Sequence, residues 1–222
     1  MGQTARVVVP GYPHHITQRG NRRQQTFFGE EDYRAYVDLM SEWCSVHGVE
    51  IWSYCIMPNH VHLIAVPNSA QALARAIGEA HRRYTRRVNF REGWRGHLRQ
   101  GRFASYVLGE GHLLAAVRYV ELNPVRARLV RDPSEYPWSS AAAHIAGRDD
   151  DLVKVAPMLD MAGYWSAFLG QETSERDADL LRLHERTGKP LGSDKFIGHL
   201  EKITARGLRR KKPGPKKKSD VN

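Results

Sequence analysis

Residues 49–67 read VEIWSYCIMPNHVHLIAVP, two β-rich runs separated by Pro58 and Asn59. Runs rich in Val, Ile, Leu and aromatic residues predict strands, and a Pro-Asn pair between them is typical of a turn. We therefore predict strands over 49–57 and 60–67 that form an antiparallel hairpin.

The segments on either side of this hairpin alternate between strand and helix patterns. They predict a strand at 14–18, a helix over 30–47 that ends at Gly48, a helix over 70–88, a strand over 103–108 and a helix over 112–122. This order matches the split βαβ, ferredoxin-like or RRM-like pattern with one added helix. The expected fold is α+β, with an antiparallel sheet and helices on one face.

The pattern weakens after about residue 145. Helical stretches near 140–146 and 176–186 predict a mainly helical C-terminal extension, and the end of the chain is a lysine run that contains Pro213-Gly214-Pro215. Such a run favours a disordered basic tail. We therefore divide the chain into a domain at 1–145, an extension at 146–205 and a tail at 206–222.

Composition points to an anionic partner. The 222 residues are 41% hydrophobic, enough for a core, and carry a formal net charge of +10. Nine arginines lie between residues 75 and 102, and eight basic residues lie between 206 and 218. With no apolar run long enough to span a membrane and no apolar signal segment, we expect a cytoplasmic, nucleoid-associated protein with no membrane partner. Its two cysteines are expected to be reduced thiols.

His60 and His62 are two residues apart in a predicted strand, so both side chains project from the same face. Neutral imidazole is the commonest protein ligand for metals. The pair is therefore a candidate metal site, although a half-buried strand with two polar residues would give the same pattern. Tyr119 and Asn123, four residues apart, lie on one face at the end of the last predicted helix, where both could enter one site or simply pack.

The chain resembles the REP-associated tyrosine transposases, domesticated relatives of the single-strand insertion-sequence transposases in the HUH endonuclease superfamily. The resemblance runs from about residue 5 to 145. It is carried by MPNHVHL at 57–63, YVELNPVRA at 119–127, YPHHITQRGNRRQ at 12–24, QGRF at 100–103 and YPWSS at 136–140. One departure is His97-Leu98-Arg99, at a place where relatives often carry an aromatic residue.

The resemblance implies a metal-dependent endonuclease and strand transferase that binds single-stranded DNA with palindromic hairpins. It implies Mg²⁺ or Mn²⁺ held by His60, His62 and Asn123, with Tyr119 as the nucleophile that forms a 5′-phosphotyrosyl intermediate. Imidazole by itself favours zinc or copper over magnesium. A weakly held ion that keeps water and phosphate oxygens as ligands would reconcile the two.

Two groups of residues are candidates for DNA binding. The first is the donor-rich turn after the first strand, and the second is the arginine-rich helix and the segment that follows it. The candidates are Arg19, Asn21, Arg22 and Arg23 in the first group, and Arg82, Arg83, Arg86, Arg87 and Arg102 in the second. No nucleotide cofactor is expected, because the chain lacks a P-loop.

Relatives of the insertion-sequence type are dimers that can borrow the tyrosine helix from the partner, whereas the REP-associated group tends to act as monomers. The resemblance therefore favours a monomer, with a dimer as the alternative.

Other functions stay open at this point. One is a non-catalytic protein that binds hairpin DNA or RNA on the same fold, and another is a metal-dependent nuclease that uses water. A structural zinc site built from Cys44, His47 and Cys55 lacks a fourth ligand. The target hairpin and the cleavage sequence are not encoded in any recognisable pattern.

Overall fold

The computed structural model describes residues 6–171 and 174–209. Its strands and helices are β1 (His14–Arg19), α1 (Glu30–His47), β2 (Val49–Met57), β3 (His60–Pro67), α2 (Ala72–Glu92), β4 (Ala104–Val107), α3 (Glu110–Glu121), α4 (Asn123–Arg126), α5 (Ala141–Ala146), α6 (Ala156–Ala162), α7 (Trp165–Leu169), α8 (Glu175–Thr187) and α9 (Asp194–Thr204). The hairpin strands and α1 have the predicted bounds, and Gly48 ends α1 in the left-handed conformation with φ 64°.

The four strands form one antiparallel sheet in the order β2-β3-β1-β4. The predicted hairpin pairs β2 with β3, and β1 enters between β3 and β4. This is the arrangement expected of a ferredoxin-like α+β fold, so the predicted fold class is confirmed.

Helices cover both faces of the sheet, whereas the sequence predicted one. As expected, α1 and α2 pack on the face that carries Ile16 and Leu63. The other face carries Ile64 and Tyr106 and is covered by α3 and by helices of the extension. The physical reason lies in β3, where apolar residues run on without alternation, a pattern typical of strands buried on both sides.

The C-terminal extension shares the core of the sheet. Val153 forms a bridge with Ile51 of β2, and Leu191 forms one with Leu108 just after β4. Part of the predicted disordered tail is also packed, since Leu208 is buried and Arg206 donates to the carbonyl of Arg6. The rest of that tail, 210–222, lies outside the described residues. In the described ranges no helix is long and apolar enough to cross a membrane.

His14, at the start of β1, is fully buried as a neutral imidazole. Its Nδ1 donates to the carbonyl of Tyr12 at 2.7 Å, and its Nε2 accepts from the backbone N–H of Val9 at 3.2 Å. Burial lowers the pKa of His14 from 6.5 to about 4. Protonation in the folded state would place a second N–H against that of Val9.

Acid is therefore expected to destabilise the fold well before the carboxylates titrate. The unfolded chain takes up a proton on His14 below about pH 6.5, and the folded chain does so only near pH 4, so stability is lost as the pH falls through this window. His14 alone should lower the free energy of unfolding by about 2 kcal/mol between pH 7 and pH 5. Urea titrations at both pH values should show this loss shrinking in His14→Gln and persisting in His97→Gln, a change at an exposed histidine. An equal loss in all three proteins would contradict it.

Candidate active site

The paired histidines lie on one face of β3, as the strand pattern predicts. The ring centroids of His60 and His62 are 5.0 Å apart, while Val61 points into the core under α1 and α2. The shared face is the one covered by α3. The two imidazoles therefore border the same space.

A chain of hydrogen bonds sets the proton position on His62. The Tyr106 hydroxyl donates to the carbonyl of Leu181 at 3.3 Å, so it accepts from Nδ1 of His15 at 2.7 Å. Nε2 of His15 is then the acceptor for Nδ1 of His62, at 3.0 Å. This leaves the lone pair of His62 on Nε2.

His60 reaches the same tautomer by another route. The Asn59 amide nitrogen donates to the carbonyl of Arg23, which turns its Oδ1 toward Nδ1 of His60 at 2.6 Å. Nδ1 of His60 is the donor, and the lone pair is again on Nε2. Burial, followed by the charge of Arg19, lowers the pKa of His60 to about 4, and burial lowers the pKa of His62 well below its usual value. Both rings are therefore neutral at pH 7, the state in which imidazole binds metals.

Tyr119 of α3 faces the histidines. Its ring centroid is 5.9 Å from that of His62 and 6.3 Å from that of His15, both edge-on, and the residue is 6% exposed. One strand, β3, and one helix, α3, of a single chain thus bring together the tyrosine and the histidine pair, which are nearly sixty residues apart in sequence.

Asn123 follows one helical turn after Tyr119, and its amide is held by three neighbours. Its nitrogen donates to the carbonyls of Tyr119 and Val120, and its Oδ1 accepts from Arg126 at 2.9 Å. The Asn123 side-chain oxygen, which the family resemblance implies as a metal ligand, is therefore hydrogen-bonded to the guanidinium of Arg126. A carbonyl oxygen has a second lone pair, so this bond leaves ligand capacity on Oδ1.

Arginines surround Tyr119. Cζ of Arg126 lies 4.0 Å from the centroid of its ring, and Arg126 also donates to its carbonyl. A hydrogen bond with the Tyr119 side chain raises the pKa of Arg182 on α8. Arg19, paired across the sheet with His60, forms a 3.6 Å ion pair with Glu185. Arg182 is also paired with Asp179, so these three arginines stand against two carboxylates and leave a net positive charge that suits a phosphate group.

The predicted donor-rich turn lies beside His60. It is a short 3-10 turn in which Arg22 and Arg23 are exposed and have positive φ angles, 52° and 62°. The turn is tied to the hairpin, because the N–H of Gly20 donates to the carbonyl of Asn59. A Cβ on Gly20 would lie 2.2 Å from a backbone oxygen of Gln24, so only glycine fits this approach.

The arginines of α2 are not part of this site. Arg82, Arg83, Arg86 and Arg87 are exposed on the helix layer at the opposite face of the sheet. Both Arg82 and Arg83 form ion pairs with Glu79. Arg102, which precedes β4, lines a separate cavity beside α2.

Sequence reasoning missed the residues that support the site, namely His15, Tyr106, Arg126 and Arg182. Arg126 carries a usable signal, since it follows Asn123 at helical spacing. The contacts of His15 and Tyr106 depend on cross-strand register. Arg182 belongs to a helix of the extension, and the pattern of that helix does not reveal where it packs.

The zinc alternative fails in the structure. Cys44 is buried under α1 and Cys55 on the other face of the sheet, and both are free thiols. Within the described ranges, no three His, Cys, Asp or Glu side chains form a group that could hold a metal. Any ion at the histidine pair therefore needs an amide, water or phosphate oxygen as a further ligand.

The sequence model of the family "Transposase IS200 like" matches residues 9–123, just over half of the chain. The chain belongs to the IS200-like transposase family. The matched range begins before β1 and ends at Asn123, so it holds His60, His62 and Tyr119. The resemblance to transposases that the motifs indicated is confirmed at this level.

One solved structure supports the fold of this IS200-like transposase. A REP-associated tyrosine transposase bound to a REP hairpin aligns with a TM-score of 0.57 and 21% identity, over 68% of this chain and 90% of that one. A putative transposase from Deinococcus radiodurans aligns over 54% of this chain and 96% of that one, with 20% identity and a TM-score of 0.37. No curated protein matches the chain.

Proposed function

We propose that this transposase cleaves and rejoins single-stranded DNA at hairpin repeats, with Tyr119 as the nucleophile. The observation that carries the proposal is the placement of Tyr119 against His62, whose ring in turn lies beside that of His60, in a site built by one chain. Because one chain supplies all three side chains, the proposal includes a monomer as the active form.

In the cleavage step, Oη of Tyr119 attacks a backbone phosphorus. A bond from Oη to phosphorus forms, the bond from phosphorus to O3′ breaks, and the phenol proton leaves as O3′ gains one. The products are a 5′-phosphotyrosyl link and a free 3′-hydroxyl, and attack by a 3′-hydroxyl reverses the step without a nucleotide cofactor. Arg126 and Arg182 place positive charge where the phenolate and the pentacoordinate phosphorus of the transition state develop negative charge.

The donor set fits a weakly held divalent ion. His60 and His62 are neutral with the lone pair on Nε2, and Asn123 offers a carbonyl oxygen. These residues would hold Mg²⁺ or Mn²⁺. When bound, such an ion polarises a phosphoryl oxygen and orients the phosphate for in-line attack.

Hairpin recognition is assigned to the turn at Asn21–Arg23 and to Arg19. These residues lie beside His60, so they can grip DNA next to the scissile phosphate. The structural neighbour bound to a REP hairpin supports this class of target. The arginines of α2 and Arg102 remain candidates for phosphate contacts on the other face of the sheet.

The test is a denaturing gel of the purified protein incubated with Mn²⁺ and a hairpin-bearing single strand. A protein–DNA adduct that survives denaturation supports tyrosine chemistry. Cleaved DNA with no adduct would contradict tyrosine chemistry and indicate a nuclease that uses water as the nucleophile. DNA that is bound but not cleaved would indicate a non-catalytic protein that binds hairpins.

The hydrogen-bond chain behind His62 gives a prediction that does not depend on cleavage. Tyr106→Phe removes the acceptor that fixes the proton of His15, so His62 no longer has a defined tautomer. Loss of such a supporting partner typically weakens metal binding about tenfold or more. Mn²⁺ titration by electron paramagnetic resonance measures this affinity, and imidazole ¹⁵N shifts report the tautomer.

The matched control is Tyr164→Phe, which removes a hydroxyl from an exposed tyrosine on the described surface. Tyr106→Phe with control-like Mn²⁺ affinity and unchanged ¹⁵N shifts would show that this chain does not orient His62.

A further inference from the structure

Arg99, in the segment before β4, is a buried cation whose donors lack acceptors. It is 6% exposed, and its Nε, Nη1 and Nη2 have no hydrogen-bond partner among the residues that the structure describes. A guanidinium stays charged in proteins and carries five N–H donors. Because buried donors are almost always paired, the arginine indicates an acceptor that residues 6–171 and 174–209 do not supply.

Aromatic rings hold this charge without accepting its hydrogens. Cζ of Arg99 lies 5.0 Å from the ring centroid of Tyr36, 5.4 Å from that of Tyr84 and 5.7 Å from that of Phe27. Ring faces attract a cation electrostatically. The phenol of Tyr36 is hydrogen-bonded to Nε2 of His81, and that of Tyr84 donates a hydrogen bond to the carbonyl of Thr26. The N–H groups of Arg99 are thus left for a ligand.

A cavity of about 330 Å³ opens beside Arg99. On the α2 side, Ala74 and Gly78 leave the space, because they lie one helical turn apart and carry almost no side chain. Arg6, Arg82 and Arg102 also line it, and no acidic residue of the described ranges is among its lining, although Glu79 pairs with Arg82 nearby. Burial and then the charge of Arg102 lower the pKa of Arg6, so these two cations stand close together.

We propose that this cavity binds a phosphate group, and that in the DNA complex this is a backbone phosphate of the bound strand. The second part rests on the proposed function. Gln18 lines the cavity, whereas its neighbour Arg19 stands beside His60, and successive residues of β1 point to opposite faces of the sheet. A single DNA strand that passes the end of β1 can therefore contact both the cavity and the site at His60.

Gly78 offers a way to close the cavity without touching the buried arginine. A Cβ at this position meets no atom within 4 Å, and the residue lies inside α2. Gly78→Ala is the matched control, since alanine favours the helix and adds one methyl group. Gly78→Leu keeps the helix and extends a side chain into the cavity, where it narrows the space beside Arg99.

Two measurements compare these variants with the wild type. Inorganic phosphate, followed by calorimetry and ³¹P line broadening, should bind the wild type and Gly78→Ala and bind Gly78→Leu about tenfold more weakly. A hairpin with an unpaired flank should also bind Gly78→Leu about tenfold more weakly. For Gly78→Leu, the slope of log affinity for this hairpin against log salt should be shallower than that of the wild type by about 0.7, the value for one phosphate contact to a single strand.

The outcomes separate this site from the nicking chemistry. Equal phosphate and DNA binding by Gly78→Leu and Gly78→Ala would overturn the site, whatever the adduct assay shows. Phosphate binding lost with DNA binding unchanged would support the phosphate site and overturn its assignment to the DNA strand. Phosphate and DNA binding that both depend on Gly78, in a protein that forms no adduct, would support the site while the proposed nicking fails.

Discussion

Replacing Tyr119 with phenylalanine is expected to abolish the covalent adduct with DNA while hairpin binding stays within about twofold of the wild type. Only the hydroxyl and its hydrogen bond with Arg182 are lost. The ring keeps its contacts with His62, His15 and Arg126, which are contacts of the ring itself. Removing the nucleophile of an enzyme that forms a covalent intermediate typically costs at least about a thousandfold in rate.

The measurement is adduct yield on a denaturing gel over time, with affinity for the same hairpin measured in parallel. Tyr164→Phe again serves as the control, because this tyrosine is 78% exposed and lies on the surface of the extension. An undiminished adduct in Tyr119→Phe would assign the nucleophile to another residue. Loss of both adduct and binding would mean that the hydroxyl holds DNA or the fold.

His62→Ala would not separate these roles as well. Its ring stacks on that of His15 and lies edge-on to Tyr119, so its removal opens a cavity between the sheet and α3. Tyr119→Phe leaves that packing in place. It is therefore the sharper test of the chemistry.

The parts of the site that the sequence predicted are those set by local periodicity. Alternation along β3 places His60 and His62 on one face, and helical spacing aligns Tyr119 with Asn123. That Tyr119 meets His62 follows from the packing of α3 on the sheet. Neither periodicity reports that packing. The expectation that Tyr119 and the histidines share one site came from the family resemblance.

The parts that the sequence could not predict depend on long-range contacts. His15 reaches His62 because β1 and β3 pair in one register, and a shift by one residue would turn it to the other face. The short helices α4, α6 and α7 span four to seven residues, too few to show a helical period. The second helical layer was missed for another reason: α3 and α8 were predicted as helices, but their patterns do not report which face of the sheet they cover.

Glu121, two residues after Tyr119, is a fully buried carboxylate that joins α3 to the extension. It accepts from Nδ1 of His144 at 2.7 Å and from Nε1 of Trp165 at 2.8 Å, and the hydroxyls of Ser140 and Ser53 also donate to it. These donors come from β2, from α7 and from the segment around α5. One side chain thus connects four parts of the fold at the helix that carries the candidate nucleophile.

Glu121→Ala is expected to lower the free energy of unfolding by about 3–5 kcal/mol, because it leaves several buried donors without an acceptor and opens a cavity. Urea unfolding followed by tryptophan fluorescence measures the loss, and Trp165 reports directly on the broken contact. Glu110→Ala, at the exposed first turn of the same helix, should unfold close to the wild type. Glu121→Gln keeps the shape and one acceptor oxygen, so it should fall between them. If Glu121→Ala unfolds at the same urea concentration as Glu110→Ala, the network does not hold α3. If it is destabilised as expected but still forms adduct under folding conditions, Glu121 stabilises the fold around Tyr119 without taking part in the chemistry.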